Sequence, residues 1–242
     1  MSKAGLPQLA KDLCRDLDPL RFSPPVTHVY NPLVYAAQPQ QTYLNKYGQG
    51  KKRVVFLGMN PGPWGMAQTG VPFGEISMVR DWMGISAEVD KPELENPKRP
   101  VTGFACTRSE VSGRRLWGLF SERYPRAGDF FKDHFVLNYC PLVFMEMSGR
   151  NVTPDKLPVD ESRPLFQICD QHLIRSLDFL EPEWVIGVGG FAEKRLEKIL
   201  PDLRAKPRLA KILHPSPASP AANRGWAEAA SKQLNAAGVW SA

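Results

Sequence analysis

Metal-binding and redox clusters are missing from this sequence. Its four cysteines (Cys14, Cys106, Cys140 and Cys169) are far apart, and its four histidines form neither an HxH nor an HxxxH pair. The spacings typical of zinc sites and iron–sulfur clusters are therefore absent, and we expect neither a metal nor another cofactor. Isolated cysteines are typical of a reducing compartment, which predicts the cytoplasm for a bacterial protein and the nucleus for a eukaryotic one.

Long apolar runs, internal repeats and low-complexity blocks are also missing. No apolar run reaches the roughly 18 residues of a membrane-spanning helix, and Met1–Leu20 lacks the apolar centre of a signal peptide. We therefore expect no contact with a membrane and no targeting segment.

The composition is that of a globular chain. It has 242 residues, of which 43% are apolar and 23% charged, and this excludes a disordered, collagenous or coiled-coil protein. No linker is evident, so we expect a single domain over residues 1–242 and a monomer. Lysine and arginine number 31 against 25 acidic residues, a net charge of +6. This excess suits a polyanion such as nucleic acid, and solubility is an equal explanation.

Four apolar runs are predicted to form buried strands. They are Arg53–Met59, His134–Asn138, Trp184–Gly189 and Leu209–His214. Their hydrophobicity is continuous rather than alternating, which is typical of strands covered on both faces.

Helical segments precede and separate these runs. We expect helices over Lys3–Leu20, Met78–Met83, Gly113–Arg123, Leu165–Leu180, Ala192–Leu200 and Trp226–Ala236, and a helical or loop stretch from Tyr30 to Tyr47. Strands that alternate with helices predict an α/β fold, here a three-layer α/β/α sandwich with a central, mostly parallel four-stranded sheet. The basic residues of the fifth helix, Lys194, Arg195 and Lys198, are expected on a solvated face.

The loop after the first strand is unusual. Residues 58–74 contain five glycines and three prolines, and ligands of parallel sheets bind beyond the carboxyl ends of the strands. Neither a Walker A sequence nor a GxGxxG fingerprint is present. A stiff loop whose amides point inward suits a planar ligand with carbonyl groups, or an anion.

Three side chains at this rim invite a chemical interpretation. Asn60 can orient a water molecule, although Asn before Pro is also a common turn former. Phe73 can stack on a ring or pack in the core. His214, at the end of the last predicted strand, can stabilise charge near neutral pH, and a purely structural role is its alternative.

Several motifs together resemble the single-strand-selective monofunctional uracil-DNA glycosylase family. The stretches that carry this resemblance are GMNPGPWGMAQTGVPFGE from Gly58, SMVRDW from Ser77, EVSGRRLWG from Glu110, VLNYCPL from Val136, SGRNVTP from Ser148 and HPSPASPAANRGW from His214. Related branches carry GQDPYH, GEAPG with clustered cysteines, or GINPG in place of the first motif. The resemblance runs from about Pro25 to Trp240.

The resemblance implies roles for individual residues in the pocket. Asn60 would position the attacking water, and His214 would hydrogen-bond the uracil O2 as negative charge develops there. Asn138 would read the Watson–Crick edge of the base, which makes it more than a strand-end cap, and Phe73 would stack on the ring. The residues implied to line the pocket are Met59, Gly62 and Met66.

The resemblance also implies a DNA-contacting surface. The residues expected there are Ser112, Arg115, Ser148, Gly149, Arg150, Asn151, Ser216, Pro217, Ala218, Asn223 and Arg224. Vertebrate members of the family carry an Arg-Asn pair where this chain has Ala218 and Ser219, and that arginine fills the space left by a flipped base. The substitution predicts weak action on duplex DNA.

The implied activity is removal of uracil, and of 5-substituted uracils such as 5-hydroxymethyluracil, from single- and double-stranded DNA in base-excision repair. No lysine lies in the three motifs that contain Asn60, Asn138 and His214, so a Schiff-base lyase step lacks a nucleophile and the enzyme is expected to be monofunctional. The alternatives are a glycosylase for deaminated purines such as xanthine and hypoxanthine, an enzyme of free nucleotides, and a non-catalytic DNA-binding module.

Overall fold

A computed structural model describes residues 5–240 of the chain. The strands are β1 (His28–Tyr30), β2 (Val54–Gly58), β3 (His134–Asn138), β4 (Val143–Met145), β5 (Asn151–Val152), β6 (Trp184–Val188) and β7 (Arg208–Ile212). The α-helices are α1 (Leu6–Leu17), α2 (Pro32–Tyr35), α3 (Ala37–Tyr47), α4 (Met66–Thr69), α5 (Val111–Arg123), α6 (Ala127–Asp133), α7 (Val159–Leu180), α8 (Gly190–Ile199), α9 (Pro220–Asn223) and α10 (Trp226–Ala236).

The central sheet is parallel and has the strand order β3-β2-β6-β7. Strand β2 pairs with β3 on one side and with β6 on the other, so that Gly58 lies opposite Asn138. Every residue of β2 and β6 is buried, as their continuous apolar runs predict. Strand β7 differs, because it lies at the edge of the sheet and exposes Arg208 and Lys211. The prediction of a buried fourth strand is wrong there.

Helices cover both faces of this sheet. The connection from β2 to β3 and that from β6 to β7 run in opposite directions across the sheet, and right-handed crossovers then place α5 and α8 on opposite faces. Helix α10 contacts α5 and β7, while α7 contacts α1 and α8. The predicted three-layer α/β/α architecture is confirmed, and the strand order reverses beside β2, where such folds bind ligands.

A second, smaller sheet was not predicted. Strands β1, β4 and β5 form it with antiparallel pairing. Each has only two or three residues, which is too short for an alternating or continuous apolar pattern to stand out.

The helix boundaries differ from prediction in instructive ways. Helix α10 coincides with the prediction, and α1 lies within Lys3–Leu20, of which Lys3 and Ala4 are outside the described residues. Helix α7 begins at Val159 rather than Leu165; Pro164 lies inside it, although proline usually marks a helix boundary. The helix expected at Met78–Met83 is a π-helical turn over Met78–Trp82.

An aromatic cluster fastens the loop after β2 to the core. Trp117 and Phe120 of α5 and Phe130 of α6 are fully buried, and their rings contact one another. The indole Nε1–H of Trp117 donates to the carbonyl of Pro72 at 3.1 Å. Packing in the core therefore sets the position of Pro72 and of the neighbouring Phe73.

Candidate active site

A cavity of about 510 Å³ opens at the carboxyl ends of β2 and β3 and beside the segment that follows β7. Most of the predicted site residues line it: Met59, Asn60, Gly62, Met66, Phe73, Ser112, Asn138, Asn151, His214, Ser216 and Pro217. The other predicted residues lie outside its lining: Arg115, Ser148, Gly149, Arg150, Ala218, Asn223 and Arg224.

The tautomer of His214 follows from a backbone contact. The N–H of Ser216 donates to Nδ1 of His214 at 3.1 Å, so Nδ1 carries no proton and the neutral ring carries its proton on Nε2. Burial lowers the pKa of His214 below its usual 6.5. The residue is therefore neutral at neutral pH and offers Nε2–H as a donor to the cavity.

Gly189 sets the position of the His214 ring. It follows β6 and has φ +88°, and a Cβ added to it would lie 3.0 Å from Cβ and 3.3 Å from Cδ2 of His214. Only glycine fits this contact without displacing the imidazole. The sequence predicted His214 at the end of the last strand. Strand β7 ends at Ile212, so His214 lies two residues beyond it.

The amide of Asn60 is held in one orientation. Its Nδ2 donates to the carbonyl of Leu142 at 3.0 Å. Because only the NH₂ end of an amide can donate to a carbonyl, Oδ1 is the end that remains to accept a hydrogen bond from a water molecule.

Phe73 adopts a strained backbone conformation in the cavity wall. Its φ is 53°, a region that non-glycine residues seldom occupy. Its ring centroid lies 6.3 Å from that of His214. Gly113 of α5 packs directly on the Phe73 carbonyl, where a side chain would clash. Strain that the surroundings maintain is typical of functional sites.

Asn138 and Phe73 meet across Gly58. A Cβ on Gly58 would lie 2.5 Å from Oδ1 of Asn138 and 2.6 Å from Cε2 of Phe73, so the missing side chain makes room for both. The Asn138 Nδ2 contacts the Met66 sulfur at 3.3 Å. Because sulfur is a weak acceptor, a carbonyl oxygen of a ligand can take its place as the partner of the Asn138 Nδ2.

A buried ion pair anchors the residue that follows Asn138. The next residue, Tyr139, donates to Asp170 at 2.8 Å, and Arg195 donates to both oxygens of the same carboxylate. The Arg195 guanidinium lies 5.0 Å from the Tyr139 ring and 4.7 Å from the Phe166 ring, and its side chain is only 13% exposed. The prediction of a solvated face is wrong for Arg195, since spacing along α8 does not reveal the buried Asp170.

Glu110 is a cavity residue to which sequence reasoning gave no role. It caps α5 by accepting the N–H of Ser112 at 3.2 Å, and burial raises the pKa of its carboxyl. It packs on Gly65, whose added Cβ would lie 2.9 Å from Cγ of Glu110. An acidic residue at a helix N-terminus is common, so its position in the sequence carries no signal of function.

Arg115 and Asn223 hold the loop after β7. Arg115 donates to the carbonyl of Pro215 at 3.0 Å and to Oδ1 of Asn223 at 2.9 Å. Asn223 in turn donates to the carbonyl of Pro217 at 2.9 Å. Ala218, at the exposed tip of this loop, presents only a methyl group.

The rim loop that contains β5 combines exposed and buried groups. Ser148 and Arg150 are exposed, and Arg150 forms a 3.7 Å ion pair with Glu146. Oδ1 of Asn151 is buried in the cavity wall and has no hydrogen-bond partner among residues 5–240. A buried acceptor without a partner is uncommon in folded proteins.

Within residues 5–240, no group of three or more His, Cys, Asp and Glu side chains is arranged to hold a metal ion. In the same residues, none of the helices has the length and apolarity required to span a membrane.

Comparison with known proteins assigns the family. Residues 45–235 match the family model of the uracil DNA glycosylase superfamily. The single-strand selective monofunctional uracil-DNA glycosylase of Rattus norvegicus is 49% identical over 224 residues, which cover 93% of this chain and 81% of the rat protein. The chain belongs to the single-strand selective monofunctional uracil-DNA glycosylase family.

Other similarities agree with that assignment. The Bos taurus single-strand selective monofunctional uracil DNA glycosylase is 48% identical over 93% of this chain and 82% of its own length. The crystal structure of Pedobacter heparinus SMUG2 aligns with a TM-score of 0.66 over 97% of both chains, at 16% identity. At that identity the structural match supports the glycosylase fold alone.

Proposed function

We propose that this glycosylase hydrolyses the N-glycosidic bond of uracil in DNA and leaves an abasic site for base-excision repair. The observation that carries the proposal is that Asn60 and His214 line one cavity, each with its orientation set by a backbone contact. The family to which the chain belongs supports the same conclusion.

His214 stabilises the leaving group. Cleavage of the bond develops negative charge on the uracil O2, and a donor aimed at that charge is the most effective single catalytic device. Neutral His214 supplies Nε2–H and keeps Nδ1 bonded to the Ser216 N–H. The proton stays on the imidazole throughout.

Asn60 positions the water that captures the sugar cation. Its Oδ1 accepts a hydrogen bond from that water, while Nδ2 stays on the Leu142 carbonyl. An amide cannot remove a proton as a carboxylate does. Because the glycosidic bond breaks before the water attacks, the water needs no base to make it a nucleophile, and the proton it releases goes to the departing uracil anion or to solvent. The lining of the cavity contains no lysine, so the residues there support hydrolysis without a Schiff-base step.

Asn138 and Phe73 select and hold the base. The Asn138 amide donates to the uracil O4 and accepts from N3–H, and cytosine reverses both roles. Discrimination by unmatched buried hydrogen bonds is large. Phe73 stacks on the ring after the nucleotide has left its helix or while it lies in a single strand.

A small cavity behind Asn138 favours 5-substituted uracils as further substrates. It has a volume of about 50 Å³ and is lined in part by Met66, Gly70 and Asn138. This cavity shares Met66 and Asn138 with the main cavity, and we propose it as the space for a 5-substituent. Single-stranded DNA is the preferred substrate, because Ala218 cannot fill the gap that a flipped base leaves in a duplex.

Cleavage of labelled oligonucleotides tests the proposal. Single-stranded and duplex substrates with one uracil, 5-hydroxymethyluracil or xanthine are incubated with EDTA and then treated with alkali. We expect alkali-dependent cutting of the single strand at uracil, and strong loss of cutting in Asn60→Ala and His214→Ala. Cutting at xanthine alone would favour the purine alternative, and DNA binding without any cutting would leave only a binding module.

A further inference from the structure

Three cations near the mouth of the cavity have no carboxylate partner in the described part of the chain. Among residues 5–240, seven arginines form ion pairs with carboxylates: Arg15, Arg80, Arg126, Arg150, Arg175, Arg195 and Arg204. Within the same residues, Lys98, Arg99 and Arg108 form no ion pair with a carboxylate. Cations left without acidic partners at one place indicate an anionic ligand.

These unpaired arginines meet at Trp64. This residue lies between Pro63 and Gly65, both of which line the cavity, and its ring is half-buried. The guanidinium carbon of Arg99 is 5.2 Å from the ring centroid, and that of Arg108 is 5.9 Å away. An indole flanked by two cations therefore adjoins the mouth of the active site.

Arg99 also joins Trp64 to the rim loop. Its Nε donates to the carbonyl of Gly149 at 2.9 Å, and its Nη1 donates to the carbonyl of Lys98 at 3.2 Å. Gly149 has φ +77°, and a Cβ there would lie 3.1 Å from Cβ of Lys98 and 3.2 Å from Cγ of Arg99. The close packing makes one continuous rim from Trp64 to Gly149.

Three acidic residues near this rim are engaged by other groups. Glu110, which packs on Gly65, accepts the N–H of Ser112 at 3.2 Å. Glu95 pairs with Lys91 at 3.3 Å and accepts the N–H of Val101 at 2.9 Å. Glu146 pairs with Arg150. The charge of Lys98, Arg99 and Arg108 is therefore not neutralised by these carboxylates.

We infer that Trp64, Lys98, Arg99 and Arg108 form a binding surface for single-stranded DNA beside the target nucleotide. The inference rests on the proposed function and adds to it the site of strand recognition. The exposed part of the half-buried indole offers a stacking face to an unpaired base, and the flanking cations contact phosphates. Bases in a duplex are stacked on each other and do not present their faces, so this combination favours a single strand.

Binding measurements without cleavage test the surface. Fluorescence anisotropy gives the Kd of a fluorescein-labelled single-stranded oligonucleotide that lacks uracil, over a series of salt concentrations. We expect Trp64→Ala to weaken binding about tenfold and Trp64→Phe, which keeps a ring, to restore most of it. Arg108→Gln should lower the slope of log Kd against log salt by about 0.7, the value for one lost phosphate contact on a single strand.

Matched controls separate this surface from general charge. Arg80→Gln removes an exposed arginine that is paired with Asp81, and we expect its Kd and salt slope to equal those of the wild type. Unchanged binding by both Trp64→Ala and Arg108→Gln would overturn the inference. Equal losses on a duplex of the same sequence would also overturn it, since the surface would then not select single strands.

Measuring both binding and uracil excision on the same proteins separates failure of this inference from failure of the proposed function. If the wild type binds the single strand, the variants lose affinity and uracil is still not excised, the surface is supported and the proposed function fails. If uracil is excised while the variants bind and cut like the wild type, the proposed function stands and the surface is refuted.

Discussion

Two histidines lie at opposite ends of the central sheet and show what separates a structural imidazole from a candidate catalytic one. His134 begins β3, and His214 follows β7. Nδ1–H of His134 donates to the Phe130 carbonyl at 3.1 Å, and its Nε2 accepts the indole N–H of Trp240 at 3.4 Å. Both ring nitrogens of His134 are therefore engaged within the core.

His214 carries the opposite tautomer. Its Nδ1 is the acceptor, for the Ser216 N–H, and its Nε2–H has no hydrogen-bond partner among residues 5–240. Burial lowers the pKa of both histidines, that of His134 to about 4. A lowered pKa is thus common to both, and the donor that faces the cavity is what distinguishes His214.

Substituting the two histidines should give the largest contrast. Removing one donor to a developing oxyanion typically costs about 10²–10³-fold in kcat, and we expect that loss for His214→Ala in single-turnover cleavage of a uracil-containing single strand. His134→Gln should keep kcat within about twofold, because its ring packs on Tyr124 and Phe130 at the amino end of β3, whereas the cavity lies at the carboxyl end. Comparable losses in the two variants would remove the distinction.

The pH dependence of stability tests the structural role of His134. His134 has a folded pKa of about 4 against 6.5 when exposed, so its stabilising effect is complete above pH 6.5 and is lost as pH falls towards 4. The full difference corresponds to about 3 kcal/mol of unfolding free energy.

Urea unfolding at a series of pH values measures this effect. His172 has a pKa that burial likewise lowers to about 4, so His134→Gln should remove only part of the decline in stability between pH 6.5 and 4. An unchanged pH slope in His134→Gln would show that His134 does not titrate as its environment implies.

Adjacent glycines offer a finer test of His214. Gly189→Ala would place a methyl group 3.0 Å from Cβ of His214 at a φ of +88°, whereas a Cβ on Gly190 meets nothing within 4 Å. A small displacement of a catalytic group lowers the rate steeply, so we expect about a tenfold fall in kcat for Gly189→Ala and little change for Gly190→Ala. Steady-state kinetics on the single-stranded substrate, with circular dichroism as a folding control, gives the answer. Equal rates in the two variants would argue against Gly189 as a positioning residue.

The sequence was sufficient for β2, β3 and β6 because these strands are continuous apolar runs, and Asn60 and Asn138 lie where two of those runs end. It placed β7 but not the exposure of Arg208 and Lys211 at the edge of the sheet. It was insufficient for β1, β4 and β5, whose two or three residues carry no period. It also misplaced the start of α7, because Pro164 disfavours a helix interior locally and tertiary packing outweighs that preference.

The geometry of the site could be predicted only in part from the sequence. The position of His214 beside the cavity follows from strand order, but its tautomer depends on the Ser216 N–H, which only the folded loop supplies. Glu110 and Arg195 were missed because their partners, Gly65 and Asp170, are distant in sequence.

The pH dependence of the rate should give the smallest effect. Nδ1 of His214 cannot accept the Ser216 N–H once it is protonated, so the neutral ring is the active form. Because the pKa of His214 lies below 6.5, kcat/KM should be constant above pH 6.5 and should fall by less than tenfold down to about pH 5.5. The measurement is single-strand cleavage across this range, with His134→Gln expected to follow the wild-type profile. A rate that rises as pH falls would show that the imidazolium is the active form, and the division between a structural and a catalytic histidine would then rest on charge rather than on tautomer.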